Sequence, residues 1–378
     1  GILEFIRGSI FTGFPWNLIV YSLSNQLEVI SITSILGTYG LNLFCISLFT
    51  SPAILILKLN KKNLGVVFLF LILTILFYIH GFAYKERFQK IVLETYDYKI
   101  RAVGSNIGLN RFYSDMNTIS VIKELIKISE PKSSHKTVFI WPEGIIPNII
   151  KEDLKEYSWL FEENFSQNHI LILGINSQVV NNKSKDYFNS LSVYDNKLNL
   201  LNSYNKINLV PFGEFLPFEN FLKKTGLRSL TNNYQSFSKG SERKVIEIIQ
   251  PNITLKILPL ICYEIIYSGK LFDNLDFDFI INISEDGWFG HSIGPKQHFV
   301  HSIFRAIESG KYIIRSSNNG ITGIINPLGN VEKSVNFRDT GYVDLKEIRK
   351  IQPTIFSIYG NKIFGLLILL YIFLIFSF

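Results

Sequence analysis

A chain of 378 residues that is 47% hydrophobic and 14% aromatic, with a mean hydropathy of +0.21, is too apolar for an ordinary soluble protein of its size. Its formal charge of +7, from 38 basic and 31 acidic residues, suits work beside anionic lipid without naming a partner; no basic block with interleaved aromatics is present, so nucleic-acid binding is not expected. The only two cysteines are Cys45, in a membrane-like stretch, and Cys262, so no disulfide framework is expected.

The first residues, "FIRGSIFTGFPWNLIVYS", already read as the interior of a membrane protein, and further spans are expected before Gly1. The basic, apolar and small-residue order of a cleavable signal peptide is not seen there. Residues 34–57 and 63–82 are nearly free of charge, and each reaches the roughly 20 residues a spanning helix needs. Lys58, Lys61 and Lys62 between them predict a cytoplasmic loop, so the chain from about Ala83 onward starts outside the cytoplasm. The run "FGLLILLYIFLIFSF", reached from Thr354, is a further predicted span. The expected organisation is a transmembrane region at 1–83, an extracytoplasmic domain at 84–353 and a C-terminal transmembrane helix at 354–378.

From Ile100 the pattern changes. "IRAVGSNIG" predicts a strand, "DMNTISVIKELIKISEP" an amphipathic helix ending before Pro131, and "KTVFIWPEG" a strand ending in a turn. "EDLKEYSWLFEENFSQ" predicts a helix, and "HILILGINSQV" and "NSLSVYD" predict strands. Strand–helix alternation followed by grouped strands argues for an α/β layered sandwich, in which sites gather where strands end in loops.

Four stretches carry candidate chemistry. In "FIWPEGIIP", Glu143 follows an apolar strand; it is a solvated turn residue or a partly buried general base. In "YNKINLVPFGEFLPFE", Lys206 and Glu214 flank a Pro-Phe-Gly turn; the lysine is a surface residue or, near a thiolate, a group that lowers the thiol pKa and holds an oxyanion. In "LICYEIIY", Cys262 ends a strand ahead of Tyr263 and Glu264; it is buried filler or a nucleophile, and outside the cytoplasm an unpaired thiol is seldom kept without a use. The fourth, "INISEDGWFGHSIGPKQHFVHSIFRAIESGKYIIRSSNNG", has Trp288 and Phe289 in a turn, then a helix from near Pro295 bearing His298, His301, Arg305 and Glu308. The histidine pair lacks a third ligand at suitable spacing, so no metal is expected and a packed polar helix shaping the site is.

Glu143, Lys206 and Cys262, in that order, resemble the Glu-Lys-Cys set of the nitrilase or carbon-nitrogen hydrolase superfamily. "FTGFPWN", "WPEG", "KINLVPFGEFLP", "CYE" and "DGWFGHSIGPKQHFVHSIFRAIESGKYIIRSSNNGIT" are similar to the successive motifs of its membrane branch, the apolipoprotein N-acyltransferase family, and the similarity runs through essentially the whole chain. The resemblance implies a nitrilase-like αββα sandwich attached to a transmembrane helix bundle, multi-pass in the bacterial inner membrane and facing the periplasm. It implies a two-step exchange in which Cys262 takes an acyl chain from the sn-1 ester of a phospholipid, phosphatidylethanolamine being the expected donor. The resulting thioester passes the chain to the free α-amino group of a diacylglyceryl-cysteine on an apolipoprotein. Glu143 would move the protons, and Lys206 would hold the oxyanion with backbone N–H help near Tyr263. Glu214 and Glu264 match family positions expected to orient Lys206 and the amine, and Tyr263 matches a third. No cofactor is needed, and a monomer suffices.

The sequence departs from the family where a Lys-Trp pair is usual: the chain reads "RFYSDMN", with Tyr113 at the tryptophan place. Two other readings remain. One is a membrane-tethered nitrilase-like amidase using water as acceptor; the other is a non-catalytic scaffold, which predicts loss of Glu143, Lys206 or Cys262, and all three are present.

Overall fold

The computed structural model describes residues 1–113, 117–181, 184–217, 236–251, 253–269, 271–272 and 274–377. The N-terminal part is helical: α1 (Ile2–Arg7), α2 (Leu27–Ile30), α3 (Thr33–Thr50), α4 (Ala53–Leu57) and α5 (Lys61–Gln89). Two stretches, Thr33–Leu57 and Lys61–Gln89, are long and apolar enough to cross a membrane. In α5 the apolar residues face outward as well as inward, with Phe68, Ile72 and Ile79 all exposed, as contact with lipid tails allows. Asn60 starts this helix by accepting the Asn63 N–H on its side chain.

The two N-terminal spans differ from their expected bounds. The first is not one straight helix: Gly37 breaks α3 with φ +69°, and Pro52 separates α3 from α4. The second continues past position 83 to Gln89, carried on by Lys85, Glu86 and Arg87. At the C-terminal end, Gly360 divides the expected span into α9 (Ile355–Tyr359) and α10 (Lys362–Ser377).

Two six-stranded sheets form the sandwich. The first has the order β12-β1-β2-β3-β4-β5, with β1 (Glu94–Gly104), β2 (Thr137–Ile140), β3 (His169–Asn181), β4 (Ser184–Tyr194), β5 (Leu200–Asn205) and β12 (Gly341–Ile348). The second has the order β11-β10-β9-β8-β7-β6, with β6 (Ile246–Gln250), β7 (Ile253–Ile261), β8 (Phe279–Glu285), β9 (Tyr312–Asn318), β10 (Thr322–Ile325) and β11 (Val331–Val335). Each sheet has three parallel central strands, β1-β2-β3 and β7-β8-β9, and antiparallel neighbours outside them. Every residue of β8 and β9 is buried, the signature of strands covered on both faces.

Three apolar layers follow. Ile100, Val138, Ile172, Ile257 and Ile281 fill the space between the sheets. Outside the first sheet, α6 (Thr118–Ser129) and α7 (Ser158–Asn164) cover Val103, Phe139 and Leu173. The helix expected over 152–167 begins as a 3₁₀ turn, Lys151–Tyr157, before α7 takes over. The predicted start of α6 includes residues 115–116, which lie outside the described residues. Outside the second sheet lies α8 (Gly294–Ser309), and the other side of α8 packs on the N-terminal segment through Phe299, Ile303, Phe304, Leu18, Val20 and Tyr39. The αββα sandwich is therefore continuous with the helical part through α8.

A buried polar joint crosses that seam. The kink at Gly37 frees the Thr38 N–H, which donates to Glu308 Oε1 at 2.7 Å; Thr38 Oγ1 and Ser268 Oγ donate to the same oxygen at 2.6 and 2.7 Å. Arg305 pairs with Glu308 Oε2 at 2.8 Å and donates to the Ile266 carbonyl at 3.0 Å and to Thr38 Oγ1. A Cβ on Gly37 would lie 2.0 Å from the Phe356 ring, so the kink and the C-terminal segment fit only around a glycine. Glu308→Ala leaves Arg305 buried without its partner, an expected loss of about 3–5 kcal/mol. Thermal unfolding in detergent should show a clear drop in midpoint, and an unchanged midpoint would refute this account of the joint.

Candidate active site

Glu143 lies just past the C-terminal end of β2, Lys206 just past β5, and Cys262 just past β7. Gly174 lets β3 approach the first of these: a Cβ there would meet Pro142 O at 2.3 Å and Glu143 Cα at 2.5 Å. Cys262 opens a 3₁₀ turn, Cys262–Ile266, with φ +48°, a left-handed conformation that costs a non-glycine residue about 1–3 kcal/mol and recurs at functional sites. His298 faces it from α8, with Nε2 3.2 Å from the Cys262 carbonyl oxygen and Nδ1 2.8 Å from Asp286 Oδ1.

Lys206 is buried, and its ammonium donates to Glu143 Oε1 at 3.2 Å and to Glu214 Oε1 at 2.9 Å. Those bonds engage two of its three hydrogens. The second oxygen of each carboxylate is also held: Glu143 Oε2 accepts the Glu285 N–H at 2.8 Å, and Glu214 Oε2 accepts the Val210 N–H at 2.8 Å. Burial by itself would lower the Lys206 pKa, but the Glu143 and Glu214 carboxylates outweigh it and raise it well above the usual lysine value. Burial pushes the Cys262 thiol well up, Glu143 adds to the effect, and Lys206 opposes it. The resting site therefore holds an ammonium, carboxylate acceptors and an uncharged thiol. Such a set supports nucleophilic catalysis in which the thiol proton leaves as sulfur attacks.

The sequence that builds this arrangement matches known families along most of its length. The Carbon-nitrogen hydrolase profile matches residues 100–347, and the Apolipoprotein N-acyltransferase N-terminal domain profile matches residues 1–51. The apolipoprotein N-acyltransferase of Rickettsia prowazekii is 33% identical over 365 residues, covering 95% of this chain and 71% of the relative. That of Bradyrhizobium diazoefficiens is 29% identical over 377 residues, covering 95% and 68%. The chain belongs to the apolipoprotein N-acyltransferase family. Among solved structures, an amidase from Nesterenkonia sp. AN1 is similar at 10% identity with a TM-score of 0.44, over 71% of this chain and 94% of that one.

Within this family member the supporting residues divide. Glu214 touches Lys206 directly, its Oε1 accepting from the ammonium at 2.9 Å. Glu264 does not: its Oε2 accepts the Ile261 N–H at 2.9 Å, and its Oε1 accepts from Ile207 N at 3.0 Å, Asn208 N at 3.1 Å, Tyr204 OH at 2.6 Å and Arg243 Nη2 at 2.7 Å. It reaches Lys206 only through the backbone, by tying the cysteine turn to the segment that follows the lysine. A buried carboxylate between two backbone segments gathers N–H donors and a guanidinium, and the site lysine is already occupied.

Tyr263 ties the turn to the "FTGFPWN" segment. Its hydroxyl donates to the Gly13 carbonyl at 2.8 Å, and the Tyr267 hydroxyl donates to the Thr12 carbonyl at 2.7 Å. Phe14 stacks near Tyr263 and Trp16, and Trp16 donates through Nε1 to Gln297 Oε1 at 2.9 Å. Trp288 is 55% exposed and stacks on Phe112 at 5.4 Å, while Tyr113 beside it is 78% exposed. Residues 114–116, the rest of that loop, lie outside the described residues. Asn189, which sequence reasoning passed over, also touches the site, donating to both Glu143 and Glu214, and Arg243, likewise passed over, pairs with Glu264. One signal was available, because Asn189 shares its strand face with the core residues Leu191 and Val193.

Burial alone would raise the Glu264 pKa, but Arg243 and the hydrogen bonds outweigh it and hold the carboxyl below its usual range. A depressed folded-state value gives stability that is complete above the unfolded carboxylate range, near pH 4.3, and is lost as pH falls through the folded value. Acid titration of unfolding should therefore be shallower in Glu264→Gln, which should also lose about 2–4 kcal/mol at neutral pH. Equal acid sensitivity in the two proteins would contradict this.

Proposed function

We propose that this protein transfers an acyl chain from the sn-1 position of a phospholipid, through a thioester on Cys262, to the α-amino group of a diacylglyceryl-cysteine at the N-terminus of an apolipoprotein. Phosphatidylethanolamine is the proposed donor, and the sandwich faces the periplasm from the bacterial inner membrane. The observation that carries the reading is the buried Glu143–Lys206–Glu214 cluster acting on the Cys262 thiol, in a chain whose relatives are named apolipoprotein N-acyltransferases.

The chemistry follows from the residue types. In the first step the Cys262 sulfur bonds to the ester carbonyl carbon as its proton passes to Glu143. The tetrahedral oxyanion develops beside the remaining ammonium hydrogen of Lys206, which stabilises it without reorganisation. The carbon–oxygen bond to glycerol then breaks, and the leaving alkoxide takes the proton from Glu143, releasing a lysophospholipid. In the second step the neutral amine attacks the thioester and gives a proton to Glu143. The carbon–sulfur bond breaks, and the proton returns to sulfur, restoring the thiol. One carboxylate thus serves as base and acid in each half, and a thioester is reactive enough for an amine to open.

Burial and charge explain why a thiol can wait in this site. Held well above its usual pKa, Cys262 is uncharged until a carbonyl arrives, so little free thiolate is exposed to oxidation or hydrolysis of stray esters. The aromatic wall of Phe14, Trp16 and Tyr263, supplied partly by the membrane-side segment, offers apolar surface for an acyl chain next to the nucleophile.

Incubation of the protein with phosphatidylethanolamine and no acceptor should add one fatty-acyl mass, removed by hydroxylamine and missing from Cys262→Ala. That variant should lose at least about a thousandfold in transfer to a diacylglyceryl peptide while keeping its fold. A folded wild-type protein that never gains acyl mass but hydrolyses small amides would overturn the transferase reading in favour of a hydrolase.

A further inference from the structure

We propose that Asn189 is a positioning residue for this chemistry: by giving one amide hydrogen to Glu143 and the other to Glu214, it holds Glu143 ionised as the base for Cys262. The proposal rests on Glu143 acting as that base. Asn189 Nδ2 donates to Glu143 Oε1 at 2.6 Å and to Glu214 Oε1 at 2.8 Å, the same two oxygens that accept from Lys206. Its backbone carbonyl also accepts the Lys206 N–H at 2.9 Å, so one residue fixes the lysine's main chain and both of its carboxylate partners.

The orientation of the carboxamide is decided by charge. Turned over, it would put a carbonyl oxygen against two carboxylate oxygens. As it stands, Asn189 Oδ1 is buried with no hydrogen-bond partner among the described residues, a cost that native interiors rarely carry without a functional reason. The side chain also occupies the strand face of Leu191 and Val193, where an apolar residue would pack without that cost. Two anions here share one buried cation. A neutral donor stabilises the pair further, whereas a second cation would weaken Glu143 as a base.

Among the described residues, the groups facing Glu143 are few. Lys206 and Glu214 come from beyond β5, Cys262 from the end of β7, and Glu285, paired with Arg111, from the end of β8; Asp286 acts on Cys262 from the same end. Removing Asn189 strips one donor from each carboxylate, and so removes a contact that favours the charged form of each.

The test is the rate of Cys262 alkylation by iodoacetamide across pH, read by peptide mass in the full chain. The carbon–sulfur bond forms as iodide leaves and the thiol proton passes to Glu143, so no acyl donor is required. The alkaline-going limb should move up by about one pH unit in Asn189→Leu, making alkylation about tenfold slower below it, with recovery at high pH. Asn189→Asp, of the same shape, should move it further, because a third carboxylate retains a proton; it decides the matter should the leucine variant fail to fold. A wild-type limb in either folded variant, or a loss equal at every pH, would overturn the proposal and leave Asn189 a packing residue. If Glu143→Gln keeps the limb, the base assignment itself fails. Absence of acylation by phospholipid in a wild type with the expected alkylation profile would count against the transfer reaction alone.

Discussion

The site depends on one buried ammonium. Moving Lys206 out of water costs several kcal/mol, a cost offset only by close carboxylates whose remaining lone pairs are themselves bonded. Glu143 and Glu214 meet that condition, and the Glu285 and Val210 N–H groups complete it. Burial, reinforced by the Glu143 carboxylate and opposed by the Lys206 ammonium, pushes the Cys262 thiol well up and keeps it protonated at rest. A site built the other way, with excess positive charge, would carry a standing thiolate and a weaker base. Under the proposed reaction, burial and local charge together favour a concerted proton transfer over a preformed thiolate.

Three ties keep Cys262 registered to that cluster. Glu264 joins the cysteine turn to the backbone following Lys206, so Cys262 and the ammonium share a common anchor. His298 faces the Cys262 carbonyl from α8, and Arg305, two turns further along the same helix, donates to Ile266 at the end of the cysteine turn. Glu308 then carries the connection across to Thr38 at the kink of α3. The left-handed backbone at Cys262 is strained, and these contacts from two sides are what maintain it.

Glu143 and Cys262 stand at the ends of apolar strands, but each stretch alone left a bland reading open, and Lys206 follows the polar strand "LLNSYN"; it is the ordered set of motifs resembling the family that singles the three out. The two apolar strands themselves were legible as apolar runs. Hydropathy predicts a continuous first span because it does not register a backbone kink; Gly37 adds no polarity, yet its φ of +69° divides the helix. Glu264 is expected at Lys206 and the amine only because it matches a family position, whereas its partners Arg243 and Ile207 come from segments whose approach only the two-sheet packing defines. Asn189 carried a weak signal, a polar residue on an apolar face, which one strand cannot distinguish from a solvent-facing position. The Tyr113 place in the motif was visible, but not that its ring would stand outside the packed aromatic pair of Phe112 and Trp288.

The seam between sandwich and helical part bears on how an acyl donor could be used at all. Exposing an acyl chain to water costs about 0.8 kcal/mol per methylene, so a chain of about fifteen would cost about 12 kcal/mol if it crossed solvent to reach the thiol. A soluble sandwich would have to bear that cost. Here the nucleophile's own turn is bonded to the "FTGFPWN" segment, through Tyr263 to Gly13 and Tyr267 to Thr12, and that segment continues toward the apolar helices. Phe11, 91% exposed, and Phe14 extend the apolar surface outward from the same loop. These hydrogen bonds join the cysteine turn to that segment and keep Cys262 in the same apolar cluster as Trp16 and Tyr263. Under the proposed reaction, the chain can then move from lipid to thioester with most of its surface still out of water, and the barrier left for the protein to lower is that of the carbonyl chemistry.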